Sequence, residues 1–208
     1  MFTGITRGTF EVVAVDREPG LLRYAVDLRD YGAGLELGAS VSIDGVCQTV
    51  VALDGAVARF DAIAETLDKT TLDALEIGAR VSVERSARVG DEIGGHDVSG
   101  HVRGTGRVAE LHRDGHDVKL VVAVPPEWMK YILPKGFVAV DGSSLTVGET
   151  EATGRFSVYL IPETLRLTNL GEKPVDGRVN VELDPRTVAI VDTVERVLAQ
   201  REAARSRG

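Results

Sequence analysis

The 208-residue chain holds a single cysteine, Cys47, so no disulfide can close within it. A reducing cytoplasm is the setting to expect. The chain also lacks a cationic excess: 24 Lys and Arg stand against 32 Asp and Glu, a net charge of −8. That speaks against broad affinity for nucleic acid or an anionic membrane, which needs a basic stripe. No apolar run approaches the ~20 residues of a membrane span. The opening "MFTGITRGTF" has no charged-then-apolar layout of a signal peptide. Metal ligands are scarce as well. The histidines are His96, His101, His112 and His116, with no second cysteine to build a Cys/His site. His112 and His116 are four apart, but "HRDGHD" contains a glycine and reads as a solvated hairpin tip. "GTGRVAE" lacks the Lys-Ser/Thr of a phosphate loop, and no G-x-S-x-G nucleophile elbow occurs.

What the chain does contain is itself, twice. "TGITRGTFEV" (Thr3 to Val12) answers to "SGHVRGTGRV" (Ser99 to Val108), and "DGVCQTV" (Asp44 to Val50) to "DGSSLTV" (Asp141 to Val147). "ETLDKTTL" (Glu65 to Leu72) answers to "ETLRLTNL" (Glu163 to Leu170), and "RVSVE" (Arg80 to Glu84) to "RVNVE" (Arg178 to Glu182). Four matches in one order mean two copies of a domain rather than a solenoid, whose periods are shorter. Within each copy, short runs such as "ASVSI", "VARFDAI", "GFVAV" and "RFSVYLI" alternate apolar with polar or small residues between Gly-rich turns. That pattern predicts a small closed barrel per copy, with a helical turn or two at "ETLDKTTLDAL" and "PPEWMKYIL". After Asp184 the period changes. Val188, Val191, Val194 and Leu198 share one helix face, Pro185 suits its first turn, and Asp184 suits its N-cap. Such a stripe is compatible with packing on its own barrel or with self-association.

Four groups of residues could carry chemistry. In "GGHDVSGH" two imidazoles sit in a glycine-rich linker, which either hands one barrel over to the next or lets backbone approach a ligand. Cys47 and Ser144 stand at equivalent positions, each two residues before a threonine (Thr49, Thr146), so each pair shares a strand face. They read as small core residues or as polar groups at a barrel mouth. Thr70 and Thr168, after the two "ETL" segments, add hydroxyls within reach of a ligand edge. Asp184 is explained as a helix cap.

Taken together, "MFTGI", "GGHDVSGHVRGTG", "KGFVAVDGSSLTV", "IPETLRLTNL" and "VNVELDP" resemble riboflavin synthase over the whole chain. The resemblance implies a mainly β fold: two tandem, similar six-stranded Greek-key-like barrels at 1–95 and 96–184, with an oligomerisation helix at 185–208. It implies that each barrel binds 6,7-dimethyl-8-ribityllumazine. Four carbons then pass from one molecule to the other, giving riboflavin and a ribitylaminopyrimidine without metal or added cofactor. It also implies a cytoplasmic homotrimer whose active site lies between barrels of neighbouring subunits, with no nucleic acid or membrane partner and a functional link to lumazine synthase. The catalytic positions carried over are His101, Cys47, Ser144 and Asp184. The substrate-binding positions in the first half are Phe2, Thr3, Gly4, Ser40, Thr49, Glu65, Thr66 and Thr70. Those in the second are Lys135, Asp141, Gly142, Thr146, Ile161, Pro162, Glu163, Thr164 and Thr168. The chain departs from the family pattern mostly in the first repeat: Asp44 for Asn, Gln48 for Leu, Asp68 for Arg and Ser82 for Asn, besides Ser143 for Ile. These place any weakening of ligand binding in the first barrel. A non-catalytic lumazine- or flavin-binding protein of the same fold is the alternative, and an enzyme for a modified lumazine a third reading. The intact His101, Cys47, Ser144 and Asp184 set favours the enzyme.

Overall fold

The duplication written in the sequence becomes two copies of one topology. The computed structural model describes residues 1–115 and 117–206. His116 lies outside the described residues, and with it the proposed hairpin-tip pair. Its companion His112 is exposed and sits beside Glu110.

The first barrel is built from β1 (Gly8–Glu18), β2 (Leu21–Asp27), β3 (Ser40–Ile43), β4 (Val46–Asp54), β5 (Val57–Ile63) and β6 (Arg80–Arg85). Helix α1 (Ala64–Lys69) and a 3-10 turn (Thr71–Ala74) lie between the last two strands. The second barrel repeats this with β7 (Gly104–Asp114), β8 (Asp117–Ala123), β9 (Phe137–Val140), β10 (Ser143–Glu151), β11 (Arg155–Leu160) and β12 (Arg178–Leu183). Helix α2 (Pro162–Leu167) stands where α1 does. Each barrel closes in the order first, second, fifth, fourth, third, sixth strand. The third strand enters by crossing an end of the barrel, which makes the path Greek-key-like. The expected fold class holds.

Alternation sets the local structure. In β5 every second residue (Ala58, Phe60, Ala62) points into the core and its neighbours point out. Phe60 and Leu22 fill one barrel, Phe156 and Leu120 the other, all fully buried. Bulges fall at matching places in both copies, after Val12 and Val50 and after Val108 and Val147. They bend long strands enough to close small barrels.

The two barrels meet about a local two-fold axis. Phe2 and Val98, equivalent in the repeats, pair with each other: each amide donates to the other's carbonyl, at 2.7 and 3.1 Å. The two Asp-Gly turns pack back to back on the same axis. Asp44 and Asp141 both have φ of 44°, with Gly45 at 82° and Gly142 at 80°, the left-handed pair that a tight primed turn requires. A Cβ on Gly45 would lie 2.4 Å from the Gly142 nitrogen. The motif is written twice because the two turns are each other's packing surface.

The C-terminal helix α3 spans Pro185–Arg205, and Asp184 caps it by accepting from the amides of Arg186 and Thr187. Packing on its own barrel accounts for the first turns of the stripe and leaves the later ones bare. Val188 and Val191 pack on the second barrel, and Asp192 accepts from the Tyr131 hydroxyl. Ile190, Val194 and Leu198 stay more than half exposed. No helix among the described residues is long and apolar enough to cross a membrane.

Candidate functional site

The segment leading into each barrel builds a site on the other. Thr3 donates from its amide and hydroxyl to Glu84 Oε1 at 2.6 and 2.7 Å, and the Gly4 amide donates to Oε2 at 3.0 Å. Ser99 and Gly100 repeat this on Glu182, at 2.7, 2.7 and 2.9 Å. Held this way, the Gly4 carbonyl accepts from the Ser144 amide at 2.9 Å, and the Gly100 carbonyl from the Cys47 amide, also at 2.9 Å. Only glycine fits at these two crossings. A Cβ on Gly4 would lie 2.5 Å from Ser144 Cβ, and one on Gly100 2.6 Å from Cys47 Cβ.

Two half-sites result. The first gathers half-buried Cys47 with exposed His101, beside the face of β4 that carries exposed Thr49. Ser40, half-buried, pairs with Thr49 across β3 and β4. The second gathers Ser144 with Ile161, Glu163, Thr164 and Thr168 around a cavity of about 140 Å³, closed on one side by Gly4 and Ile5. Pro162 opens α2 at its rim, exposed Thr146 lies on β10, and exposed Lys135 precedes β9 with φ of 64°. The halves are not chemically alike. By the repeat, Ile5 is the counterpart of His101, so one half holds an imidazole where the other holds an alkyl chain.

A second imidazole restores some balance. His96 Nδ1 lies 2.6 Å from Ser144 Oγ, and its ring stacks on Phe137 at 5.2 Å between centroids. Its Nε2 is buried without a hydrogen-bond partner. Burial pushes the ring's pKa below its ordinary value, while Asp184, Glu182 and Asp97 oppose the fall. His96 is therefore a neutral ring near pH 7, able either to accept the Ser144 proton or to donate to its oxygen. His96 and Asp184 line a pocket distinct from the Ser144 cavity, together with Phe137 and Arg186. Burial raises the Asp184 carboxyl, but the Thr187 hydroxyl and the Thr187 and Arg186 amides outweigh that and hold it below the usual range. No hydrogen bond among the described residues joins the Cys47–His101 pair to the Ser144–His96 pair.

Thr168 apart, which lines the second cavity, the other carried-over positions are placed elsewhere. Phe2 is 1% exposed and packs with Val98, Ala139 and Cys47 on the local axis. Thr70 and Thr168 spend their hydroxyls on the backbone, donating to the Thr66 and Thr164 carbonyls at 2.8 and 2.7 Å. Glu65 is exposed and paired with Lys69, and Thr66 is half-buried. Asp141 and Gly142 lie in the contact between the barrels. So does Asp44, a departure weighed for its effect on a ligand: it faces Ser82 and Asn169. Ser82, another departure, is answered there by Asn169, as Asn180 is answered by Thr71 in the other half. Asp68 is exposed on α1, Gln48 is buried, and Ser143 meets Thr6 at 3.1 Å. His96 was legible only as part of a glycine-rich linker. It precedes the first position the repeat can align, so it has no counterpart in the other copy.

The lumazine binding domain family matches residues 3–86 and again 99–184. Riboflavin synthase of Escherichia coli (strain K12) is 49% identical over 206 residues, covering 98% of this chain and 96% of that protein. The chain belongs to the riboflavin synthase family. Riboflavin synthase of Buchnera aphidicola subsp. Baizongia pistaciae is 39% identical over 95% of the chain and 94% of its own length. Among solved structures, LumP complexed with riboflavin superposes with a TM-score of 0.82 at 24% identity, over 88% of this chain and all of that one. That likeness shows the fold. In riboflavin synthase terms, the two family matches fall on the two barrels, and each half-site is built by the segment that opens one match and a strand of the other.

Proposed function

We propose that the chain converts two molecules of 6,7-dimethyl-8-ribityllumazine into riboflavin and 5-amino-6-ribitylaminouracil. The observation that carries this reading is the pair of related but unlike half-sites on one chain. A reaction between two copies of one substrate needs two similar pockets that treat them differently. One copy must lose a proton from its 7-methyl group; the other must accept carbon at its own C7. His101, exposed beside Cys47, is the group to move the proton, since an imidazole nitrogen can accept a proton and donate one in turn. Cys47 and Ser144 stand where a thiol or hydroxyl would meet a ring edge, and His96 fixes the Ser144 hydroxyl. Thr164 and Glu163 line the second pocket, with Ile161 at its apolar rim. No added cofactor or metal is invoked. Holding two rings face to face removes a large entropic barrier, on the order of 7–11 kcal/mol in well-oriented reactions.

In this reading the reacting rings come together when the first half of one subunit meets the second half of another. The bare turns of α3 beyond Val191 supply the surface for a homotrimer. The segments 1–95, 96–184 and 185–208 act as first barrel, second barrel and assembly helix. We place the protein in the cytoplasm, where the lone thiol stays reduced, with a functional link to lumazine synthase as the source of substrate.

The test is turnover. Purified protein without added cofactor should consume two lumazines for each riboflavin formed. His101→Ala should bind lumazine but react on the order of 10²–10⁴ slower. Lumazine that binds and is never consumed by the unaltered chain would instead identify a carrier.

A further inference from the structure

The carboxyl groups of the two Asp-Gly turns are sealed where the barrels meet: Asp44 is 5% exposed and Asp141 1%. Asp44 Oδ1 accepts from the Ser82 amide at 2.6 Å and from Asn169 Nδ2 at 3.2 Å. Asp141 Oδ1 accepts from the Asn180 amide at 2.7 Å. Its Oδ2 lies 2.8 Å from Lys173 Nζ, near as an ion pair but not aligned as a hydrogen bond. The other charged groups on the packed elements turn away. On the closing strands β6 and β12, Arg80 goes to Thr9 and Arg178 to Asp73, while Glu84 and Glu182 hold the Thr3 and Ser99 segments. Tyr24, on β2, faces Asp44 as a buried neutral phenol. Lys173 is thus the one cation, among the described residues, that acts on both acids.

Two carboxylates and one ammonium leave a sealed contact one negative charge in excess, a costly state away from water. One bound proton removes it. Asp141 has the ammonium; Asp44 has only neutral donors, so the proton belongs on Asp44. We propose that the contact between the barrels is a pH-sensitive latch, held in register by one proton on Asp44 and loosened when that proton leaves. Both half-sites are built across this contact, through the Ser144–Gly4 and Cys47–Gly100 hydrogen bonds, so loosening acts on both together. This goes beyond the catalytic reading and stands whatever molecule the barrels hold.

Burial pushes the Asp44 carboxyl up to about 7; Lys173 opposes the rise and Asp141 adds to it. In the unfolded chain the same group returns to about 3.9. The folded chain therefore holds this proton roughly a thousandfold more tightly, about 4 kcal/mol. Because the folded pKa is the higher one, the stabilisation is complete below about 4. It is lost as pH rises towards 7, by up to about tenfold in the folding constant per pH unit.

Denaturant unfolding of the full chain and of Asp44→Asn, from pH 5 to 9, reads this directly. The variant should be the more stable above neutrality. Its advantage should grow by up to about tenfold per pH unit until about pH 7 and then level off. An advantage independent of pH would overturn the proposal. Carbon NMR of the aspartate carboxyls in the unaltered chain decides the matter even if the variant does not fold. One side chain should titrate near pH 7, and titration of every aspartate below pH 5 would refute the latch.

Discussion

At the scale of single residues, the first barrel carries polar groups that the second does not. Tyr24 stands in the core where the repeat puts Leu120, and Gln48 where it puts Leu145. The Tyr24 hydroxyl and Gln48 Oε1 are both buried without a hydrogen-bond partner. An unpaired buried hydroxyl costs about 1–3 kcal/mol, so removing it relieves that penalty while the ring keeps its packing on Phe60. Tyr24→Phe is expected to leave stability unchanged or raise it by up to about 1 kcal/mol, read as the urea midpoint at constant slope. The types of the site residues were legible in the sequence because they recur: Cys47 and Ser144 were found by aligning the chain on itself. What they touch was not. The sequence leaves open whether Asp44 faces a ligand; it is 5% exposed and bonded to Ser82 and Asn169. A residue's partner across 125 positions leaves no local trace. His96 was readable as linker alone for the same reason.

At the scale of elements, periodicity was a good guide wherever one face meets a core. The alternation in β5 and its counterparts gave the barrels, and the three-and-four spacing after Asp184 gave α3. The two fates of that helix could not be separated. Val188, Val191, Val194 and Leu198 follow one stripe, while only its first turns reach Trp128, Tyr131 and the barrel wall. The latter part of the stripe, Val194 and Leu198, remains 51% and 52% exposed. Nothing in its own barrel explains those side chains. Replacing both with Asp should leave the two barrels folded, with unchanged far-ultraviolet dichroism, and convert the assembly to monomers in sedimentation velocity. Loss of the oligomer should carry away most of the turnover, since each half-site then lacks its complement. A monomeric wild-type chain would remove the role given to α3.

At the scale of the whole molecule, duplication explains both the symmetry and its breach. A single barrel has one edge of Asp-Gly turn that needs a partner, and a second copy supplies an identical surface about a two-fold axis through Gly45 and Gly142. The same axis pairs Phe2 with Val98 and crosses each leading segment onto the other barrel. Once both pockets exist on one chain, they are free to diverge: His101 against Ile5, Cys47 against Ser144, Lys69 against Leu167. Divergence of two copies is what a reaction between two identical molecules requires, and under the proposed reaction the two halves would come from different subunits. The most direct measurement is complementation between two disabled chains. His101→Ala disables the first half-site, and Thr164→Trp fills the second, whose cavity is about 140 Å³. Each variant alone should be nearly inactive. Unfolded together, refolded together and supplied with 6,7-dimethyl-8-ribityllumazine, they should regain a substantial fraction of wild-type riboflavin formation, because some contacts then join two intact halves. If the mixture stays as inactive as its components while still forming mixed oligomers, the two halves do not meet between chains, and the split active site is wrong.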